Sequence, residues 1–161
     1  MIAVWGTVRD GLLSPARTIC VRIHLPDRTP PMTHPTPEPC LFCALPQKRI
    51  VMVNGLAMAI RDAYPVSPGH TLIVPKRHVA TFFDTTSEER LSMFELLDKA
   101  KRALDVELQP AAYNIGVNDG PAAGQTIRHL HVHLIPRYAG DDDDPRGGVR
   151  WIFPEKAKYW T

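Results

Sequence analysis

The stretch Gly124-Gln125-Thr126-Ile127-Arg128-His129-Leu130-His131-Val132-His133-Leu134-Ile135-Pro136-Arg137 decides the reading of this chain. His129, His131 and His133 alternate with Leu130, Val132 and Leu134. Successive side chains of a β-strand point to opposite faces. The alternation therefore predicts a strand over 127–135, with an aliphatic face on the core and three imidazoles spaced about 6.6 Å apart on the other face. Such a row has three readings. It is a surface or core-edge cluster, although its internal, patterned position is unlike a purification tag. It is a metal site, since two histidines one residue apart on a strand can present two ligands to zinc. Or it holds a nucleophile toward phosphorus: a near-neutral pKa keeps free imidazole abundant at pH 7, and neighbouring rings fix its tautomer and assist a leaving group.

The chain has 161 residues, 44% hydrophobic and 22% charged, with a net charge of +2. This predicts one soluble globular domain whose core needs no disulfide help. Residues 1–36 carry Arg9, Arg17, Arg22 and Arg28 against Asp10 and Asp27, so the remainder is formally neutral. No broad polyanion-binding surface follows, and no nucleic-acid partner is expected. An anionic substrate must be held by a few placed donors. No run approaches the roughly 18 apolar residues of a transmembrane helix, and no leader pattern is present, so no membrane partner is expected and the cytoplasm is the expected compartment. Three cysteines, Cys20 alone and Cys40-x-x-Cys43 as a pair, point away from a disulfide framework. The pair suggests metal or redox chemistry, or two reduced thiols without a metal, and as thiolates it suits two corners of a tetrahedral zinc.

Residues 1–39 hold seven prolines, Pro15, Pro26, Pro30, Pro31, Pro35, Pro37 and Pro39, and are expected to be an extended or disordered tail. Met32 is an alternative start that would make residues 1–31 a mis-called extension. Beyond Cys43, the runs at 50–53 and 56–60 flank Asn54-Gly55, which predicts a type I′ hairpin. Residues 71–74 read as a third strand ended by Pro75, and 113–117 as a fourth. Residues 87–108 are the principal helix: Thr86 and Glu89 have capping-box spacing, and Leu91, Phe94, Leu97, Leu104 and Leu108 recur at helical intervals. The Asp141–Asp144 run reads as a solvated loop, with Arg146 or Arg150 as candidate phosphate contacts and Trp151 and Trp160 as anchors on the core.

The triad stretch, together with Asp62-Ala63-Tyr64-Pro65-Val66-Ser67-Pro68-Gly69-His70-Thr71-Leu72-Ile73-Val74-Pro75-Lys76-Arg77-His78 and Asn118-Asp119-Gly120-Pro121, resembles the histidine triad (HIT) family, bacterial zinc-containing type. The resemblance covers roughly residues 40–138. It implies an α+β, HIT-like fold of about five mainly antiparallel strands with one principal helix, paired as a homodimer, with 139–161 as a C-terminal extension packing on the domain. It implies His131 as the nucleophile, His129 as the residue whose carbonyl fixes its tautomer, and His133 near the phosphate or leaving group. Asn118, Gln125 and Thr126 would line the phosphate site, and Asp62 would hold the ribose hydroxyls. Bland alternatives stand beside these: Asp62 as a turn former, Asn118 as a loop residue with an unusual backbone angle, Thr126 as a strand residue, and His70 as a buried, satisfied core histidine. By the same resemblance, Cys40, Cys43, His78 and His129 would hold a structural Zn2+. The implied activity is a nucleotidyl hydrolase acting at an α-phosphate, on diadenosine polyphosphates or nucleoside phosphoramidates, through a nucleotidyl-histidine. Mg2+ would arrive only with the nucleotide. Transfer to an acceptor other than water, a zinc-stabilised binding module without turnover, and a zinc hydrolase using the triad as ligands are the alternatives.

Overall fold

A computed structural model describes residues 40–160; the tail reading and the Met32 start lie outside the described residues. Five strands, β1 (Ile50–Val53), β2 (Ala57–Arg61), β3 (Thr71–Pro75), β4 (Ala112–Gly116) and β5 (Val132–Arg137), form one sheet in the order β1-β2-β3-β5-β4, every neighbouring pair antiparallel. The principal helix α1 (Ser87–Glu107) lies between β3 and β4 in sequence, and a short helix α2 (Pro154–Ala157) lies near the C-terminus. This is the α+β architecture read from the sequence. Among the described residues no helix is long and apolar enough to cross a membrane.

Both faces of the sheet are covered, which is why β2 and β3 read as continuous apolar runs. Ala57, Ala59, Ile73, Val132 and Leu134 face one core, completed by Met93, Leu96, Ala100 and Leu104 of α1. Met58, Ile60, Leu72 and Val74 form a second core with Phe42. His133 lies opposite Leu72 in the β3–β5 pairing, so the parity of β5 places the even-numbered aliphatics on the helix side and the odd-numbered histidines on the other.

The capping box of α1 forms as expected: Glu89 N–H donates to Thr86 Oγ1 (3.2 Å) and Thr86 N–H donates to Glu89 Oε2 (2.9 Å). Such caps contribute about 1 kcal/mol. Glu89 also accepts two 2.8 Å bonds from Arg77, tying the loop after β3 to the helix start. The buried stripe of α1 differs from the expected one. It runs Met93-Leu96-Ala100-Leu104, while Leu91 and Phe94 are exposed. Leu and Phe spacing alone had set the phase; the smaller Ala100 and the flexible Met93 are what the sheet accommodates.

The Asn54-Gly55 turn is not type I′, because neither residue has a positive φ. Asn54 instead caps its own turn, accepting from Leu56 and Ala57 N–H (3.3 and 2.9 Å), and its Nδ2 donates to Ser92 O of α1 (2.6 Å). Those side-chain bonds hold a three-residue loop against the helix. Strand β5 begins at Val132, not at residue 127. Continuing the β3–β5 register would set Leu130 opposite Pro75, which has no N–H to give. Leu130 N–H goes to Val79 O (2.7 Å) and the His129 ring takes the Pro75 carbonyl.

Candidate active site and metal centre

The bend at 127–129 lets consecutive imidazoles do different work. His129 is fully buried, and its Nε2–H donates to Pro75 O (2.9 Å). Its Nδ1 lies 3.5 Å from Cys40 Sγ and 3.6 Å from Cys43 Sγ, and Cys43 Sγ lies 3.4 Å from His78 Nδ1. All four candidate ligand atoms fall within 4.8 Å of one another. A tetrahedral zinc with Zn–S of about 2.3 Å and Zn–N of about 2.0–2.1 Å separates its sulfur and nitrogen ligands by about 3.5 Å. The donor set and its spacing therefore fit a metal ion. Burial keeps the His129 imidazole below its usual pKa, in the neutral form a ligand needs. Burial and the neighbouring Cys40 push the Cys43 thiol up, because two adjacent thiolates repel unless a cation lies between them.

His131 is buried, and its Nδ1–H donates to His129 O (2.8 Å). The bond fixes the ring proton on Nδ1 and leaves the Nε2 lone pair free. Phe42, inside the C-x-x-C loop, sets its ring edge-on to both His129 and His131, with centroids 5.8 and 5.3 Å away. Sequence reasoning passed over Phe42; an apolar residue between two metal-type cysteines is a signal only once the loop is known to lie on the histidines.

His133 lies edge-on to His131, with centroids 5.1 Å apart, and its Nδ1 is 3.0 Å from His70 Nε2. Val66 N–H donates to His70 Nδ1 (3.4 Å), which puts the His70 proton on Nε2 and the His133 proton on Nε2 in turn. Burial, with the like charge that His131 and His70 would add, lowers the His133 pKa to about 4. Burial also lowers that of His70, against the pull of Asp62. Both rings are neutral at pH 7. His70 is buried and partnered, as a core histidine would be, but its partner is the triad.

Asp62 follows β2, accepts Tyr64 N–H in a tight turn (2.8 Å), and lies 3.5 Å from His70 Nδ1. Asp62, His70 and His133 are near enough to bracket a cation, but the two histidines face each other at hydrogen-bond distance, which leaves no room for an ion between them. Gln125 is buried and braces its loop, donating to Ala80 O (2.6 Å) and accepting from Gly120 N–H (3.3 Å). One amide hydrogen remains for a ligand. Thr126 is exposed. Asn118 and His133 lie in the wall of a cavity of about 630 Å³ over β4 and β5. Arg146 and Arg150 do not reach it: Arg146 pairs with Asp144 and lies over the Trp160 ring, and Arg150 donates to Ala157 O and Lys156 O.

Residues 46–140, more than half of the chain, match the HIT domain family. An AP-4-A phosphorylase of Mycobacterium tuberculosis is 36% identical over 62% of this chain and 54% of its own length. A bis(5′-nucleosyl)-tetraphosphatase (asymmetrical) of Schizosaccharomyces pombe is 38% identical over 53% of this chain and 47% of its own. The crystal structure of a Zn-bound histidine triad family protein from Mycobacterium smegmatis superimposes with a TM-score of 0.58 at 36% identity, over 65% of this chain and 84% of that one. The five-stranded antiparallel sheet, its one main helix and the alternating histidines thus carry the same signature in sequence and in space, and the chain belongs to the HIT family.

Proposed function

We propose that this chain is a nucleotidyl hydrolase that cleaves a phosphoanhydride or phosphoramidate bond at the α-phosphate of a nucleotide. The observation that carries the reading is the 2.8 Å bond from His131 Nδ1–H to His129 O, which leaves Nε2 as an unprotonated nucleophile inside a buried site. Nε2 attacks the α-phosphorus. The bond from phosphorus to the leaving group breaks, and its electron pair departs with that group, which gains a proton. Water then attacks the nucleotidyl-histidine, frees the nucleoside monophosphate and returns a proton. The His133 Nε2–H donates to the phosphate oxygens or the leaving atom. Asn118, Thr126 and the spare amide hydrogen of Gln125 hold the phosphate, and Asp62 holds the ribose hydroxyls.

Cys40, Cys43, His78 and His129 would hold a zinc ion, whose chemistry there is structural because four protein ligands leave no open position. Reduced thiols at those positions agree with a cytoplasmic setting. The reading includes a homodimer: β4 is an open edge of the sheet, and Leu91 and Phe94 stand exposed on α1. Domain limits of 40–138 for the catalytic domain and 139–161 for its extension belong to the same reading, and Mg2+ enters only with the substrate.

A second acceptor is favoured by one observation, the phosphorylase among the relatives. Incubation with an adenine-labelled diadenosine tetraphosphate separates the two. Water as acceptor releases adenosine monophosphate, and inorganic phosphate as acceptor releases the diphosphate. His131→Ala is expected to lower turnover by at least about a thousandfold with the fold intact. Near-normal turnover in that variant overturns the assignment.

A further inference from the structure

Cys40 and Cys43 stand at the two ends of a single turn, closed by Ala44 N–H donating to Cys40 O (3.0 Å). Both sulfurs lie against one ring nitrogen, His129 Nδ1, at 3.5 and 3.6 Å, and they fall within 4.8 Å of each other. Their exposure differs. Cys43 is open to solvent and Cys40 is half-buried. Between them, Leu41 is exposed, while Phe42 is buried with its ring edge-on to His129 and His131. The turn therefore shows one sulfur to solvent, keeps a second within reach of the first, and sets its apolar residue against the triad.

We propose that Cys40 and Cys43 are a site of reversible oxidation by hydrogen peroxide or a small organic hydroperoxide, that their joining expels the zinc, and that Phe42 passes the change to His131. The proposal rests on the zinc and nucleotidyl-transfer readings above and adds a modification that neither of them requires.

Zinc holds both sulfurs as thiolates, the nucleophilic form, and a small oxidant can reach the exposed one. The Cys43 sulfur attacks one peroxide oxygen and the O–O bond breaks. The second oxygen leaves with the electron pair and takes a proton, as water from hydrogen peroxide or as the alcohol from a hydroperoxide. Cys43 is then a sulfenic acid. The Cys40 thiolate attacks that sulfur, the S–S bond forms, and the hydroxyl departs with a proton as water. Two electrons pass from the pair of sulfurs to the peroxide, and zinc leaves as the divalent ion. A disulfide, with sulfurs about 2.05 Å apart, has no thiolate left to hold a metal. His78 and His129 alone are too few for a tetrahedral site. Cys43 loses its tie to His78, and the turn that seats Phe42 is no longer fastened at either end. His129 keeps its ring bond to Pro75 O (2.9 Å), so the sheet is not disturbed. What is lost is the support behind the His131 ring: the edge contact from Phe42, and the clamp on the residue whose carbonyl fixes the ring proton. The chemical step slows more than binding does.

The test uses the full-length, zinc-loaded protein carrying Cys20→Ser, a position outside the described residues, so that the pair supplies the only thiols. Hydrogen peroxide is applied at a concentration that fully oxidises glutathione in the same time. Peptide mapping is expected to find Cys40 joined to Cys43, and a colorimetric indicator to register release of about one zinc per chain. With diadenosine tetraphosphate as substrate, kcat should fall at least about tenfold while KM moves less than about threefold. A phosphine reductant with added zinc should restore the thiols, the metal and kcat together. Zinc retained with both thiols free overturns the inference. So do sulfinic acids in place of the disulfide, and a disulfide that leaves kcat unchanged. If the reduced, zinc-loaded protein turns over no nucleotide, the nucleotidyl-transfer reading falls, and disulfide formation with zinc release still decides the oxidation site. A protein that takes up no zinc overturns the inference whatever its turnover.

Discussion

The face of the sheet that carries the histidines has two covers of opposite construction. The segment from Cys40 to Pro46 lies over β2 and β3, and it is fastened through side chains that converge on the histidines. Cys40 and Cys43 reach His129 and His78, and Phe42, only 7% exposed, packs on Met58, Ile60, Leu72 and Val74. The segment after Arg137 lies over β4 and β5 and is bonded largely to itself, through Arg150 to the end of α2 and Arg146 to Trp160. Asp141 ties it to Arg137 of β5, and the Tyr138 hydroxyl donates to Pro68 O in the loop before β3 (3.0 Å). One cover sets Phe42 edge-on against the His131 ring, with centroids 5.3 Å apart. The other arches over the strands and leaves a cavity. On the proposed function the first segment positions the His131 ring, and the second borders the space beside the triad.

The most damaging way to break that division is to unfasten the first cover. Wild type is expected to co-purify with zinc, and Cys43→Ser should remove it and lower the thermal midpoint by on the order of 10 °C, with activity falling alongside. Stoichiometric zinc surviving the substitution would exclude this site. Phe42→Ala leaves all four metal donors in place and deletes only the packing between the C-x-x-C loop and the triad. Emptying a buried aromatic site costs about 3–5 kcal/mol. The expected result is normal zinc content, a stability loss of that size by urea unfolding, and a fall in kcat with little change in KM. Unchanged kcat would mean that the 5.3 Å edge contact does not position His131.

Residues with strong local signals were readable before any coordinates. The Thr86–Glu89 box marked the helix start because both halves of the cap lie within one turn. The runs at 50–53, 56–60 and 71–74 marked strands; β2 and β3 are buried on both sheet faces, which demands continuous apolar sequence, while β1 leaves Val51 and Val53 exposed. Readings failed where a tertiary partner outbid a local preference. Asn54-Gly55 carries the signature of a type I′ turn, yet Asn54 is claimed by Ser92 of α1 (2.6 Å). The histidine alternation promised strand from residue 127, yet Pro75 stops the ladder and sends Leu130 to Val79. Of the site, the spacing of the histidines and cysteines told which residues to gather. The family resemblance told which of them to pair. Neither could reveal Phe42, or that His70, read as a buried and satisfied histidine, finds its partner in His133 (3.0 Å), because those contacts join distant parts of the chain. The Asp141–Asp144 run read as plain solvated loop, and only the fold shows Asp141 closing on Arg137 to shape a cavity wall.

The finest test of the division falls on the second cover. Trp151 is 40% exposed, and its one polar bond goes to a neighbouring loop carbonyl at Arg146. Its removal leaves no closed void, so Trp151→Ala should cost no more than about 1 kcal/mol, near the usual range for surface substitutions. The catalytic consequence should be equally confined. If the indole only lines the cavity beside His133 and does not reach the reacting ring, KM for an aryl-bearing amidate should rise a few fold, while hydrolysis of the nucleotidyl-histidine, from which the leaving group has already gone, keeps its rate. Single-turnover measurement separates the two steps. A slowed second step would show that the C-terminal segment, like the Cys40–Cys43 loop, reaches the reacting ring, and the two covers would then share one task.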